Sequence, residues 1–474
     1  MQTVGAVHRE HARAAADLRS LLRVVRGPLL TPNDESYDRA RRVYNGAIDR
    51  HPVAILRCAD AFDVVAGIRF ARERDWPLAI RGGGHSLAGF AMCDDGLVLD
   101  VASMNAVHID PIRRRARVGC GASWGDLDRA ACPLGLVTTG ARISTTGVAG
   151  VTLGGGYGWL MRRDGLTIDN LLGAEVVTAD GDVLTVSADE HPDLFWGIRG
   201  GGGNFGVVLS LEYRLNPLGP AVMGGAAFYA VADLADLLCV YREMTRDASE
   251  ELTAQCNVLI APDAPFVPPP LRGRLVGAIA VCHAGSIETA ERELRLLRGF
   301  KPPLLDRIKP MSYISVQRLF DAAGAFGHQV HGRSGHLLAL TNDVIDIIVA
   351  HAPSVTSPLS ITMLSPLGGA VARVGSDATA FAHRDAAFDL AISAVWDDPD
   401  ERERHVAWVE RFWDAVSPQT HGVYVNELGD EGAERLADAY PAPTYERLVA
   451  LKRRYDADNV FRLNHNIAPT PPEE

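Results

Sequence analysis

Strand-like and helical segments alternate in the first half of the chain. Residues 53–59 are mostly apolar, and residues 61–75 place apolar positions at helical spacing behind the candidate N-terminal caps Asp60 and Asp63. Residues 77–82 form a second strand-like segment. This order predicts a β-α-β unit whose two strands are parallel.

Three more segments have strong strand patterns. Residues 96–102 continue the alternation, and residues 174–187 contain two β-rich runs joined by Asp180-Gly181, which predicts a hairpin. Residues 205–215 form a further strand. The following half of the chain mixes strands with amphipathic helices, which indicates a second unit of different organisation.

Length and composition restrict the class of protein. A chain of 474 residues is too long for one ordinary core and predicts two domains. The apolar fraction of 47% and the mean hydropathy of +0.02 are typical of a soluble enzyme, and the sequence has no apolar run of about 18 residues that would span a membrane. The net charge of −12 argues against a nucleic-acid partner, because a polyanion needs a basic surface.

The cysteines and the N-terminus favour a cytoplasmic location. The seven cysteines are scattered, and their spacing matches neither a CxxC motif nor a zinc site. Residues 1–20 carry charges where a secretory signal needs an apolar stretch. Residues 8–25 instead show the spacing of an amphipathic helix.

Three glycine-rich runs carry the first evidence of chemistry. They read RGGGHS at 81–86, LGGGYG at 153–158 and RGGGGNFGVV at 199–208. Glycine lets backbone N–H groups approach a pyrophosphate closely, because no Cβ holds the ligand away. Three such runs within about 125 residues predict one large nucleotide cofactor. His85 could then reach its reactive end.

Two other interpretations of these runs stay open. Each run could be a tight turn or bulge of purely structural meaning. A Rossmann fingerprint fits poorly, because neither 81–89 nor 153–160 opens a convincing helix and no acidic residue ends a second strand about 20 residues on.

Longer motifs around these runs carry a family resemblance. The chain resembles the berberine-bridge-enzyme-like flavoproteins, FAD-dependent oxidoreductases of the vanillyl-alcohol oxidase and p-cresol methylhydroxylase superfamily. The segments that carry the resemblance are RGGGHSLAG at 81–89, TTGVAGVTLGGGYGWL at 145–160, DNLLGAEVVTADG at 169–181, DLFWGIRGGGGNFGVV at 193–208 and YERLVALKRRYDADNVFRLNHNI at 445–467.

The resemblance implies an α+β fold of two domains. A two-subdomain FAD-binding domain of the p-cresol methylhydroxylase (PCMH) type is expected beside a substrate domain with an antiparallel sheet flanked by helices. The expected divisions are a helical arm at 1–44, the FAD-binding domain at 45–218, the substrate domain at 219–423, and a segment at 424–474 that returns to the FAD domain.

The same resemblance implies how FAD is held. His85 is expected to bond covalently to the 8α-methyl carbon of the flavin, since a neutral imidazole nitrogen is a nucleophile. Many relatives add a cysteinyl bond, but Ile143 stands at that position, so one bond is expected. Cys120 and Cys132 are in the wrong register and are expected to be small buried residues. The other residues expected at the cofactor are Arg81, Gly82, Gly83, Gly84, Ser86, Thr146, Gly147, Gly150, Gly154, Gly155, Gly156, Gly158, Asn204, Gly206, Val207, Val208, Asn464 and Asn466.

The implied reaction is oxidation of a small organic molecule at a C–O or C–N bond. Thr146 is smaller than the leucine that would hinder oxygen at its position, which favours an oxidase that uses O2 and releases hydrogen peroxide. A dehydrogenase with another acceptor, an oxidative cyclase and a noncatalytic flavin-binding protein are the alternatives.

A base is needed near the substrate O–H or N–H. Where relatives have Y-x-N-Y, this chain has YVNE, so Tyr424, Asn426 and Glu427 are the candidate catalytic residues. A buried carboxylate could have a pKa near neutrality. The plainer interpretations are a surface position for Glu427 and a packed strand aromatic for Tyr424.

Other candidates for the substrate pocket are less specific. The strand at 361–374 carries a base in relatives, but Met363 and Ser365 stand there without a carboxylate, and Tyr313 is an aromatic that could line the pocket.

The histidines at 328, 331 and 336 suggest a metal at first sight. They lack a carboxylate partner and a regular helix face, so a polar loop or pocket rim is expected and no metal is assigned.

Overall fold

A computed structural model describes residues 18–469 of the chain. Most of the helix predicted over 8–25 lies outside these residues, although residues 18–22 are helical. In the described part, no helix is long and apolar enough to cross a membrane.

A four-stranded sheet contains the predicted β-α-β unit. Its strands, in spatial order, are Leu29–Leu30, Ala54–Arg57, Leu97–Asp100 and Leu78–Arg81. Leu97–Asp100 runs parallel to both neighbours, so the two strands of the unit are parallel but separated by it. The connecting helix Ala61–Glu73 begins after Asp60, whose carboxylate accepts hydrogen bonds from two backbone N–H groups.

A five-stranded antiparallel sheet packs beside it. Its order is Val107–Asp110, Arg115–Gly119, Val207–Arg214, Leu171–Val177 and Val183–Ser187. The predicted hairpin is confirmed, because Leu171–Val177 and Val183–Ser187 pair antiparallel around Gly181, whose φ is +84°. A short pair, Leu136–Val137 with Asn216–Pro217, lies apart.

The second half of the chain builds one large antiparallel sheet of eight strands. Its main path is Leu305–Asp306, Val222–Ala230, Leu275–His283, Leu252–Ile260, Ile361–Pro366, Phe388–Trp396 and Gln329–Leu337, and Lys309–Met311 pairs with Val222–Ala230. The prediction of a loop at 328–336 is therefore wrong. Residues 329–336 belong to the edge strand Gln329–Leu337, which pairs with Phe388–Trp396 along its whole length. Backbone pairing across the sheet outweighs the weak strand propensity of Gly332 and Gly335.

Besides the helical residues 18–22, the α-helices of the described chain are Tyr37–Ala40, Ala61–Glu73, Trp124–Ala131, Val148–Gly154, Met161–Asp164, Pro192–Gly197, Leu234–Asp247, Ile287–Glu293, Arg295–Phe300, Tyr313–Gln317, Asn342–His351, Ala370–Arg373, Arg402–Val416, Gly432–Ala439 and Ala442–Tyr455.

Two main hydrophobic cores divide these elements. One joins both smaller sheets to the C-terminal helices and includes Leu56, Trp124 and Leu448. The other lies between the large sheet and its helices and includes Trp408 and Phe412. The predicted α+β fold, with an antiparallel sheet flanked by helices, is confirmed.

The large sheet has an apolar and a polar face. Alternate residues such as Cys256 and Leu390 enter the helix-packed core. Their neighbours Gln255 and Asp389 are equally buried but polar. Because successive strand residues point to opposite faces, the polar side chains collect on the face away from these helices.

Candidate active site

The first and third of the predicted glycine runs meet around one cavity of about 310 Å³. Its wall is built from the loops that follow the strands Leu78–Arg81 and Leu136–Val137, from the start of Val207–Arg214 and from the C-terminal segment. The predicted residues that line it are Gly82, Gly83, Gly84, His85, Ser86, Thr146, Gly147, Gly150, Asn204, Gly206, Val207, Val208, Asn426 and Asn464.

Two of these loops touch through their glycines. A Cβ on Gly83 would lie 2.4 Å from the backbone nitrogen of Gly147, and a Cβ on Gly147 would lie 2.6 Å from that of Gly83. No side chain fits between backbones at this separation. The glycines therefore allow the two loops to form one continuous wall.

His85 is held at this wall in its neutral form. Its Nε2 atom lies 3.3 Å from the Thr145 hydroxyl, its ring stacks on Tyr44 at 5.1 Å between centroids, and Phe326 meets its face edge-on at 5.2 Å. Burial lowers the pKa of His85 to about 4. The imidazole is therefore unprotonated at neutral pH and keeps a nucleophilic lone pair.

The C-terminal segment is anchored to the cavity by asparagines. The Asn204 amide donates to the carbonyls of Gly201 and His465, and its oxygen accepts from the N–H of Ile467 at 2.9 Å. The Asn464 amide donates to Gly203 and Phe461. These bonds bring residues of the two distant segments together at one wall.

The cavity wall has the features that an FAD molecule requires. A Cβ on Gly150 or Gly203 would meet nothing within 4 Å, so both backbones border open space where a ligand can approach them. The buried Oδ1 atom of Asn464 has no hydrogen-bond partner among the described residues. Glycine backbones that border open space and an unpaired amide oxygen fit a cofactor with phosphates and a polar ring system.

The second glycine run occupies a different place from the one predicted. Gly154, Gly155, Gly156 and Gly158 do not line the cavity. A Cβ on Gly154 would lie 2.3 Å from the Asn426 amide, one on Gly156 would lie 2.0 Å from the Thr167 hydroxyl, and one on Gly158 would lie 1.8 Å from the Gly140 carbonyl. Close packing against neighbours explains these glycines without cofactor contact.

Arg81 and Asn466 also lie outside the cavity lining. The Arg81 guanidinium pairs with Asp100 at 3.2 Å and donates to the carbonyls of Ala40 and Arg42. These bonds hold residues 40–42 against the strand Leu78–Arg81. Asn466 has a buried Oδ1 atom without a partner in the described chain.

Tyr424 and Asn426 form a polar unit behind the cavity wall. The Tyr424 oxygen accepts hydrogen bonds from the Gly156 backbone at 2.9 Å and from the Asn426 amide at 2.7 Å, and its ring stacks on Tyr157 at 4.0 Å. Tyr424 is buried as expected for a packed aromatic, but it stands at the start of the 3₁₀ turn Val425–Glu427 and not in a strand.

Glu427 is directed inward from the same turn. Its Oε2 atom is buried, so the interpretation as a surface residue is wrong. Burial raises the pKa of the Glu427 carboxyl, and the nearby charge of Arg142 opposes that rise. A raised pKa is what a carboxylate base near neutral pH requires.

The less specific candidates have separate roles. Tyr313 donates to Gln317 at 3.2 Å and packs with Trp159 outside the cavity. Ser365 is buried, and its Oγ atom has no partner among residues 18–469. Cys120 is buried and lines the cavity, whereas Cys132 is only half-buried.

The three histidines of the edge-strand segment have different partners. His328 contacts Asp397 at 2.6 Å, His331 contacts Glu410 at 2.5 Å, and His336 contacts the Tyr157 hydroxyl at 2.7 Å. Within the described residues, no group of histidine, cysteine and acidic side chains is arranged to hold a metal.

Several cavity residues were missed by sequence reasoning. Gly202 and Gly203 belong to the third glycine run, so the signal for them was present. Family motifs also contained Ala149, Val151, Leu153, Phe461, Leu463 and His465. The remaining apolar and aromatic residues had no such signal, and these are Leu78, Ile80, Phe90, Ala91, Val101, Val425, Leu428 and Tyr440.

Comparisons with known proteins identify the family of the chain. A family model described as an FAD binding domain matches residues 52–187, and one described as berberine and berberine like matches residues 423–468. The chain is 32% identical over 463 residues to (R)-6-hydroxynicotine oxidase of Paenarthrobacter nicotinovorans, covering 94% of this chain and 97% of the relative. It is 30% identical over 453 residues to an uncharacterised FAD-linked oxidoreductase of Bacillus subtilis, covering 94% and 97%.

Solved structures show the same architecture. The crystal structure of 6-hydroxy-D-nicotine oxidase from Arthrobacter nicotinovorans superposes with a TM-score of 0.86 at 30% identity, covering 94% of this chain and 98% of that one. Berberine bridge enzyme from Eschscholzia californica shares the fold, with a TM-score of 0.83 at 21% identity over 97% and 100% of the two chains. Fold and cavity define a PCMH-type FAD-dependent oxidoreductase. The chain belongs to the berberine-bridge-enzyme-like family of FAD-linked oxidoreductases.

Proposed function

We propose that this FAD-linked oxidoreductase is an oxidase with flavin bound covalently through His85 alone. It takes a hydride from a C–O or C–N bond of a small organic molecule and uses O2 as the final acceptor. The observation that carries the proposal is the neutral His85 at the wall of a glycine-lined cavity. FAD, when bound, supplies the hydride acceptor.

Two observations support O2 as the electron acceptor, and one supports a single covalent bond to the flavin. Thr146 lines the cavity with a small side chain, which leaves room for oxygen. A relative with 32% identity is named an oxidase. Ile143 occupies the position of the second covalent bond and packs towards Gly324. The seven free cysteines, all within residues 18–469, suit a reducing cytoplasm as the place of action.

The residues of the Tyr424–Glu427 segment would orient the substrate and remove its proton. Two N–H donors hold the Tyr424 oxygen and leave its own hydroxyl hydrogen for a third partner. Asn426 lines the cavity while fixing Tyr424. Glu427 is the proposed base for the substrate O–H or N–H, because its buried carboxyl has a raised pKa.

Acid denaturation tests the covalent bond. The wild-type protein should retain yellow colour in the precipitate, with flavin on a peptide that contains His85. His85→Ala should release its flavin to the supernatant. His108→Ala, at an exposed histidine, is the control that should keep the colour. Release of flavin from the wild-type protein would disprove the covalent assignment.

Anaerobic flavin reduction by a panel of aromatic alcohols, amines and sugars tests the base. Glu427→Gln should slow reduction by the best donor at least about tenfold, because the proton acceptor is lost. Glu434→Gln, at an exposed position, should leave the rate unchanged. A wild-type rate in Glu427→Gln would remove Glu427 from the mechanism, and reoxidation by air with hydrogen peroxide release would distinguish the oxidase from a dehydrogenase.

A further inference from the structure

One segment of the second half of the chain contacts the first half around His85. This segment, residues 318–328, joins the helix Tyr313–Gln317 to the edge strand Gln329–Leu337 and contains the 3₁₀ turn Asp321–Gly324. It constrains His85 in two ways, through a neighbouring loop and through aromatic side chains.

Asp321 binds the loop at 141–146. Its two carboxylate oxygens accept hydrogen bonds from the Ser144 backbone N–H at 2.8 Å and from the Ser144 hydroxyl at 2.7 Å. A carboxylate that accepts two hydrogen bonds from one residue fixes both the position and the orientation of that residue. A Cβ on Gly324 would lie 2.5 Å from the Ile143 side chain, so the same turn also packs against the preceding residue. The 318–328 segment therefore holds this loop in place.

Thr145 connects the loop to His85. Its hydroxyl lies 3.3 Å from His85 Nε2, and a Cβ on Gly324 would lie 3.2 Å from that same hydroxyl. A hydrogen bond to one ring nitrogen of a histidine sets the tautomer and the orientation of the ring. Because Thr145 follows Ser144 directly, Asp321 acts on the imidazole through two adjacent loop residues.

Aromatic contacts restrict the imidazole further. Phe326 meets the His85 ring edge-on at 5.2 Å between centroids, and Tyr44 stacks on it at 5.1 Å. Phe326 and Tyr44 also meet edge-on at 6.2 Å. The Tyr44 hydroxyl donates to the Ala323 carbonyl at 3.0 Å, and the Gly327 N–H donates to the Tyr44 carbonyl at 3.3 Å. The ring of His85 is therefore held between the two halves of the chain.

Further bonds fix Tyr44 relative to the 318–328 segment. The Asn45 amide donates to the Val330 carbonyl at 3.1 Å, and its oxygen accepts from the Val330 N–H at 3.0 Å. The Gly46 N–H donates to the His328 carbonyl at 2.7 Å. Because Asn45 and Gly46 follow Tyr44 directly, these bonds keep its ring in register with Phe326.

We propose that Asp321 and Phe326 are positioning residues for the covalent attachment of flavin to His85. The second half of the chain thereby completes the attachment site. The proposal rests on the proposed function, in which His85 bonds to FAD. Neither Asp321 nor Phe326 lines the cavity, so both act through the loop and the ring of His85.

Orientation controls the rate of this bond because both partners are held by the protein. One nitrogen of the imidazole has to point at the 8α carbon of the bound flavin, and a ring that turns freely spends most of its time in other orientations. Fixing a reacting group in the productive geometry accelerates a reaction by orders of magnitude.

The attachment balances in atoms and electrons. A bond forms between an imidazole nitrogen and the 8α carbon, while the imidazole N–H bond and one C–H bond of the methyl group break. The two electrons released reduce the flavin. O2 then accepts them together with the two protons and becomes hydrogen peroxide, which leaves oxidised flavin bound to His85.

Covalent attachment in the full-length protein produced without flavin tests the proposal. After FAD is added, the flavin that stays in the acid precipitate is followed with time at several FAD concentrations. Asp321→Ala and Phe326→Ala should each lower the attachment rate at saturating FAD at least about tenfold, because His85 is less often in the productive orientation. The FAD concentration that gives half of this rate should stay unchanged, whereas a defect of folding or binding would raise it.

Matched variants control for these substitutions. Asp263→Ala and Phe266→Ala remove the same two side chains from exposed positions of the second half and should attach flavin at the wild-type rate. Asp321→Asn keeps a hydrogen-bonding group beside Ser144, and Phe326→Tyr keeps the aromatic ring. Both conservative variants should restore most of the rate.

Wild-type attachment rates in Asp321→Ala and Phe326→Ala would overturn the proposal, and so would a change confined to the half-saturating FAD concentration. In both cases the covalent bond of the proposed function stands, since the wild-type protein attaches its flavin. A wild-type protein that binds FAD but leaves all of it in the supernatant would refute that bond, and with it the positioning role of Asp321 and Phe326.

Discussion

Glycines at the cavity act in two distinct ways. Gly83 and Gly147 are needed because two backbones touch, whereas Gly203 and Gly150 border open space. Glycines of the first kind are needed for the chain to pack in its folded form. The second kind serves a ligand, since a side chain there would meet no protein atom.

Alanine substitutions separate these two effects. Gly83→Ala should lower the free energy of unfolding of the flavin-free protein by about 2 kcal/mol, because the new methyl group overpacks against Gly147. Gly203→Ala should leave that free energy nearly unchanged but weaken flavin incorporation. Thermal melts with and without FAD measure both effects.

Gly299→Ala is the matched control for these variants, since a Cβ there also meets nothing within 4 Å and the residue lies away from the cavity. Equal losses of stability in Gly83→Ala and Gly203→Ala would contradict the distinction.

The C-terminal helix Ala442–Tyr455 is attached to the cavity by a buried ion pair. Lys452 and Asp456 are both fully buried, with Nζ and Oδ2 2.6 Å apart. The Lys452 ammonium also donates to the carbonyls of Asn204 and Phe461 at 2.9 Å. Asp456 accepts from two backbone N–H groups of the following turn. One helix thus holds two walls of the cavity.

Lys452→Met should destabilise the protein by about 4 kcal/mol, because Asp456 would stay buried without its cation. Flavin incorporation should fall as well, since the Asn204 loop loses a donor. Lys452→Met combined with Asp456→Asn should recover part of the loss. Chemical denaturation measures these differences.

Lys301→Met breaks partly exposed ion pairs with Asp233 and Asp236 and should have a small effect. An equally small effect of Lys452→Met would show that the buried pair does not anchor the helix.

At the scale of the molecule, the two halves are joined by buried and half-buried polar contacts beside the site. Arg384 makes a two-pronged pair with Asp169 at 2.8 and 2.9 Å, and both side chains are buried. Asp321 accepts from the backbone and hydroxyl of Ser144, next to Ile143. Such paired contacts fix the relative orientation of two segments better than apolar contacts do. A guanidinium and a carboxylate can form two parallel hydrogen bonds in only a few orientations. These contacts hold residues 321 and 384 of the second half of the chain against residues 144 and 169 of the first.

The local pattern of the sequence was sufficient for many elements. The hairpin around Gly181, the helix behind Asp60 and the long strand Val207–Arg214 each have a complete signal within a short window. The family motifs likewise indicated FAD, and the first and third glycine runs do line the cavity. These features were predictable because turn chemistry, capping and alternation depend on near neighbours.

The remaining features depended on residues far apart in the chain. The glycine run at 153–158 reads like a phosphate loop, yet its glycines are required by packing against Asn426 and Gly140. Asp389 has no motif, and it comes to lie beside His336 and Ser365 only through strand register. The sequence by itself therefore determined the cofactor class and most of the elements. Tertiary structure alone decided which polar side chains meet, because register and burial are properties of the assembled sheet.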